Sequence, residues 1–105
     1  MSQDTTAVFV VANLEVNDPV GYRNYEKGFF PLLKRHGGEL LTFDDKPTTF
    51  EGISPRPGWV IILKFPSETA ATAWYNDADY QALSEHRRGA TTLQFLTMVR
   101  GLPPR

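Results

Sequence analysis

There is no cysteine among the 105 residues, which excludes disulfides, thiolate metal sites, iron–sulfur clusters and a cysteine nucleophile together. Histidine is nearly as scarce. His36 and His86 are the two present, and they lie too far apart to suggest metal-ligand spacing. Neither sign of charge dominates: 11 Lys and Arg against 12 Asp and Glu leave a net charge of −1. No electrostatic footprint for nucleic acid or an anionic membrane surface follows from that balance. No run approaches the roughly 18 apolar residues of a membrane span. The opening MSQDTTAVFVVANLEV has no basic n-region and its apolar run is broken by Asn13, so no signal peptide is expected and a cytoplasmic protein is. HExxH, GxSxG, P-loop and GxGxxG segments are all missing, and the sequence asks for no metal and no cofactor.

What remains is an ordinary globular composition, 41% apolar and 22% charged. A chain of this size buries about two-thirds of its unfolded surface, enough for a single domain over residues 1–105. The stretch AVFVVANLEV at 7–16 is apolar and β-branched at nearly every position, the pattern of a strand. Asp18 and Pro19 then supply an N-cap and a first-turn proline. Tyr22, Tyr25, Phe29, Leu32, Leu33 and His36 recur at helical spacing over 20–36. Pro31 predicts a kink near 28–31, and Gly37-Gly38 ends the helix.

A second strand is predicted over 39–45, and a loop over 46–58 with a short strand at 48–51. WVIILKF at 59–65 is the strongest strand signal. Ser67 caps a helix over 68–75 that breaks at Asn76-Asp77; a second helical piece covers 78–88, and the last strand 92–100. This order predicts an α+β, ferredoxin-like βαββαβ fold, with both helical regions on one face of an antiparallel sheet.

The strands do not alternate apolar and polar, as a sheet with one wet face should. Trp59, Ile61, Leu63 and Phe65 oppose Val60 and Ile62; Val8, Val10, Ala12 and Leu14 oppose Phe9 and Val11. In the last strand Leu93, Phe95 and Val99 oppose Leu96 and Met98. Both faces need cover. In so short a chain the economical cover is a second copy, which predicts a homodimer packed sheet to sheet.

Three segments carry a resemblance: the DP…Y..Y opening of the first helix, its HGG ending, and the block FPS…A..WYN….Y….R. In these the chain resembles domain-of-unknown-function family 1330, within the dimeric α/β-barrel superfamily. The resemblance implies a ferredoxin-like subunit and a face-to-face dimer. It implies no single activity, since the superfamily includes cofactor-free monooxygenases, muconolactone-type isomerases, haem-degrading oxygenases and plain ligand binders. Haem-degrading members combine an Asn on the first strand with a Trp and a His in the second helical region, and Asn13 and Trp74 match in kind. The position corresponding to the haem-ligating His holds Ser84, however, and His86 lies about 200° further round the helix, so haem ligation is not expected.

The candidate site residues each have a structural reading beside a functional one. Tyr80, Leu83, Ser84 and Arg87 share a helical face. They are either packed residues with an Arg stem over apolar surface, or a ligand wall in which Arg87 anchors an anion. His86, on the adjoining stripe, is either solvated or a catalytic base, with Asp79 as its distant orienting partner. Asn13, polar in an apolar strand, is a structural anchor or a catalytic group at the end of a cleft. Tyr22 and Tyr25 pack on the sheet with hydroxyls available to a ligand, and Trp74 is core or ligand wall. His36 suits the negative end of its helix without chemistry. Arg56, between two prolines, is placed to reach over a cleft. The functional expectation is a homodimer with a small-molecule cleft between sheet and helices. The alternatives are a cofactor-independent monooxygenase or isomerase for a small aromatic or carboxylic molecule, and a non-catalytic dimerisation or binding module.

Overall fold

The computed structural model describes residues 6–52 and 58–102. In order the elements are β1 (Val8–Val16), α1 (Pro19–Arg35), β2 (Glu39–Asp44), β3 (Trp59–Phe65), α2 (Glu68–Asn76), α3 (Ala78–Ala90) and β4 (Thr91–Arg100). The strands form one sheet in the order β2-β3-β1-β4, antiparallel at every pairing. This is the ferredoxin-like α+β arrangement that the pattern predicted. Arg56 lies outside the described residues, and the strand expected at 48–51 does not form. No helix among the described residues is long and apolar enough to cross a membrane.

Local chemistry sets the helix ends. The Asp18 carboxylate accepts a hydrogen bond from the Gly21 N–H at 3.1 Å, with Pro19 in the first turn. At the other end Gly37 adopts φ +75°, and the Gly38 N–H donates to the Leu33 carbonyl at 2.9 Å. Helix α1 runs unbroken through Pro31, which lies on its exposed side. Ser67 caps α2 by accepting from the Ala70 N–H at 3.0 Å. Asp77 ends α2 and caps α3 in one residue, its carboxylate accepting from the Asp79 N–H at 2.9 Å.

Val8, Val10, Ala12 and Leu14 are buried against the helices, in register with Phe65, Leu63, Ile61 and Trp59 of β3. Strand alternation therefore turns Phe9, Val11 and Asn13 to the outer face. Two bulges break that alternation. In β4 the pairing jumps from Asn13↔Phe95 to Leu14↔Leu93, so Leu93 joins Leu96 and Met98 on the helix side. The simple alternation that grouped Leu93 with Phe95 and Val99 misses the extra residue, Gln94. In β2 the extra residue is Leu41, and Leu40 and Phe43 pair with Leu63 and Ile61 on the helix side.

The turn from α1 into β2 is closely packed. A Cβ on Gly38 would meet Phe65 at 2.7 Å and Leu33 closer still, whereas one on Gly89 in α3 would meet open space. Gly38→Ala should lower the free energy of unfolding in urea by about 1–3 kcal/mol through overpacking. Gly89→Ala should raise it by about 0.5–1 kcal/mol through helix propensity. Equal urea midpoints for the two variants would contradict this packing.

Candidate functional site

Between the sheet and the helices lies a cavity of about 270 Å³. Its floor is the helix-facing row of the sheet, from Val10 and Ala12 to Ile61, Leu63 and Leu96. Its roof comes from α1 and α3. Helical spacing on α1 brings Tyr22, Tyr25 and Phe29 inward, and on α3 it brings in Tyr80 and Arg87. Trp74 enters from α2. The two bulges supply Phe43 and Leu93, which alternation alone would have turned away. Phe30, Phe43 and Glu26 are exposed lining residues and mark its mouth.

The walls are nearly all hydrocarbon or aromatic, and the few polar atoms are mostly donors. The Tyr25 and Tyr80 hydroxyls share a buried hydrogen bond of 2.8 Å. Only one of the two protons lies in that bond, so the pair keeps a second O–H to offer. The indole Nε1–H of Trp74 is buried and has no acceptor among the described residues. The Nε of Arg87 is in the same condition, on a side chain of a residue only 5% exposed. The Arg87 guanidinium carbon stands 5.8 Å from the centre of the Tyr25 ring, a cation–π distance. No carboxylate among the described residues forms an ion pair with Arg87. Burial pushes the Tyr22 phenol well above its ordinary pKa, and the Glu26 carboxylate adds to the rise while Arg87 opposes it. Burial likewise raises Tyr25, helped by its neighbour Tyr80. These two phenols stay protonated and can donate.

A second, more open cavity of about 700 Å³ runs between α2, α3 and β4, bordered by Thr72, Arg88 and Thr91. Val10, Trp74, Arg87, Leu93 and Leu96 line both spaces, so they form the partition between them.

Tyr22, Trp74, Tyr80 and Arg87 are therefore brought together around one space. His86 is not: it is exposed and lines neither cavity. Each residue advances the helix by about 100°, so the stripe that turns Tyr80, Ser84 and Arg87 inward turns His86 to solvent. Asn13 is also outside the cavity. It is buried on the other face of the sheet, where its side-chain amide donates to the Trp59 carbonyl at 3.1 Å. Asp79 reaches Arg35 at 3.0 Å, not His86. Ser84, at the position compared with a haem ligand, donates to the Tyr80 carbonyl at 2.8 Å. It offers no ligand nitrogen, and the residues here do not fit haem. No group of three or more metal-ligating side chains occurs among the described residues.

Glu26 escaped the sequence reading, although it stands one helical turn after Tyr22 and one before Phe30. The Tyr25–Tyr80 pairing also escaped it, because 55 residues separate the two and no local pattern links them.

A family model described as a domain of unknown function, DUF1330, matches residues 7–102. No curated protein matches the chain. Among solved structures, the RPA0582 protein of unknown function from Rhodopseudomonas palustris superposes with a TM-score of 0.73 at 20% identity, over 95% of this chain and 85% of that one. SnoaB, a cofactor-independent oxygenase from Streptomyces nogalater, gives 0.65 at 12% identity, over 94% and 96%. A dabb family protein with a ferredoxin-like fold from Mesorhizobium loti gives 0.60 at 11% identity, over 95% and 99%. At these identities the likeness shows the fold alone.

The elbow that carries Trp74 and Tyr80 is tied down from outside the cavity. His36 and Asp77 are hydrogen-bonded at 2.7 Å, and Arg35 bridges Asp77 and Asp79 at 3.0 Å each. His36 thus holds the α2–α3 junction to the end of α1. Its hydrogen bond, then those of the Asp79 N–H and Arg35, lower the Asp77 pKa from 3.8 to about 2. A depressed carboxylate stabilises the fold above its unfolded pKa and loses that contribution as the pH falls through the folded one. The stability advantage of the wild type over Asp77→Asn should therefore be complete above about pH 5 and fade towards pH 2. Urea midpoints across that range check it; parallel curves would remove Asp77 from the tether.

Proposed function

The chain belongs to the DUF1330 family, and from the chemistry of its cavity we propose that it binds a small, mainly apolar or aromatic molecule carrying an anionic oxygen, such as an aryl carboxylate or a phenolate. The observation that carries this reading is a mainly aromatic cavity lined by Arg87, a buried residue that no carboxylate pairs with among the described residues. A buried guanidinium without a counter-charge is costly, so an anionic oxygen brought beside it is favoured. The aromatic walls take a flat apolar body, while the guanidinium supplies charge and direction.

The active unit in this reading is a homodimer. Phe9 and Val11 pair with Lys64 and Ile62 on one side and with Val99 and Thr97 on the other, so the outer face carries a central apolar strip. A second copy laid on that strip, sheet against sheet, covers it. Asn13, buried within that face, then belongs to the interface side.

A second reading, a cofactor-independent oxygenase, draws on the same donors, which suit a phenolate or enolate, and on the likeness to SnoaB. An activated methylene and one O2 then yield a carbonyl and one water, the substrate supplying every electron. Oxygen uptake with phenolic substrates separates this reading from plain binding.

Phenylacetate should raise the melting temperature, by about 10 °C or more when present at 100 times its dissociation constant. Phenylacetamide should do so much less. Arg87→Met should abolish the phenylacetate shift and yet leave the ligand-free protein as stable or more so, because it removes a buried charge that no carboxylate among the described residues neutralises. A Met variant that is destabilised and still responds to phenylacetate would sink the proposal. Val11→Lys, at the middle of the outer strip, should convert a dimer to a monomer in sedimentation. A wild type that sediments as a monomer would remove the dimer.

A further inference from the structure

Glu26 is the one carboxylate that lines either cavity among the described residues. It stands at the mouth on α1, exposed, one turn from Tyr22 and one turn from Phe30. None of the ion pairs among the described residues involves it. Other carboxylates near the roof are engaged: Asp77 and Asp79 hold Arg35, and Glu85 holds Arg88. The Tyr22 phenol feels both the Glu26 carboxylate and the Arg87 guanidinium. A carboxylate at the mouth and a buried guanidinium with no carboxylate partner among the described residues thus line a single, mainly apolar space.

That combination is more than anion binding requires. A carboxylate at the mouth disfavours a second anion there, while the donors deeper in favour one. The conflict is resolved when the two act on different atoms of one molecule. We propose that Glu26 is the proton acceptor of an enolisation site acting on an aryl-substituted carbon acid of the 2-oxo acid type. The inference rests on the ligand-binding reading above.

The step balances without a cofactor or oxidant. A Glu26 carboxylate oxygen takes a proton from the carbon next to the carbonyl. The C–H electron pair becomes the new carbon–carbon π bond, and the carbonyl π pair moves onto oxygen. The Arg87 guanidinium, which lines the same cavity, stabilises the negative charge that develops on that oxygen. Return of the proton from Glu26 to the oxygen gives the enol; return to the carbon restores the keto form.

Phenylpyruvate in D2O is the probe, with loss of its methylene proton signal followed by NMR and binding followed by thermal shift. Wild-type protein should accelerate exchange over the buffer rate. Glu26→Gln should slow the protein-dependent rate about 10²- to 10⁴-fold with the thermal shift retained, and Glu26→Asp should recover part of it. Exchange that is unchanged in Glu26→Gln, or absent in a wild type that binds phenylpyruvate, overturns the assignment and leaves the binding reading standing. A wild type that shows no shift with either phenylpyruvate or phenylacetate overturns the binding reading and the assignment with it.

Discussion

Two phenols set the geometry on which the rest depends. The Tyr25 and Tyr80 hydroxyls meet at 2.8 Å in a buried site, joining α1 to α3 above the sheet. Two long aromatic side chains that meet end to end cannot both fold down to fill the space beneath them. Both rings line the cavity, above a floor that runs from Val10 and Ala12 to Ile61, Leu63 and Leu96. Trp74 packs on Tyr80 with ring centres 4.2 Å apart and planes tilted by 38°, and Arg87 lies against Tyr25 because the same helical stripe delivers both Tyr80 and Arg87.

The polar design of this space runs against stability. Protein interiors seldom leave a guanidinium without a carboxylate or an indole N–H without an acceptor. Here both occur in one partition wall, beside a core that is otherwise closely packed. The elbow between α2 and α3 offsets part of that strain from outside, through Asp77, His36 and Arg35. Trp74 Nε1 and Arg87 Nε are left without an internal acceptor among the described residues.

Much of the fold was legible from local chemistry. Asp18-Pro19, Gly37-Gly38 and Ser67 marked helix ends that the structure keeps, and WVIILKF marked a strand to the residue. The stripe of Tyr80, Ser84 and Arg87 was legible too, since helical geometry alone puts them on one face. The bulges at Leu41 and Gln94 were not, because an inserted strand residue leaves no mark on a period of two. Glu26 passed unnoticed for another reason: a glutamate on an exposed helix face is ordinary until a cavity opens beside it. Asn13 and His86 drew attention by residue type, and their positions took them elsewhere.

By itself the sequence determined what short-range sterics and periodicity control: the order of elements, their caps, and which residues of each helix point the same way. It also showed that apolar residues occupy both faces of the sheet. Tertiary structure alone decided which stripes face one another, and at what distance. The Tyr25–Tyr80 contact, the unpaired state of Trp74 and Arg87, and the place of Glu26 at the mouth depend on side chains from separate elements converging. Such convergence reflects packing across the whole molecule, and no local window of sequence encodes it.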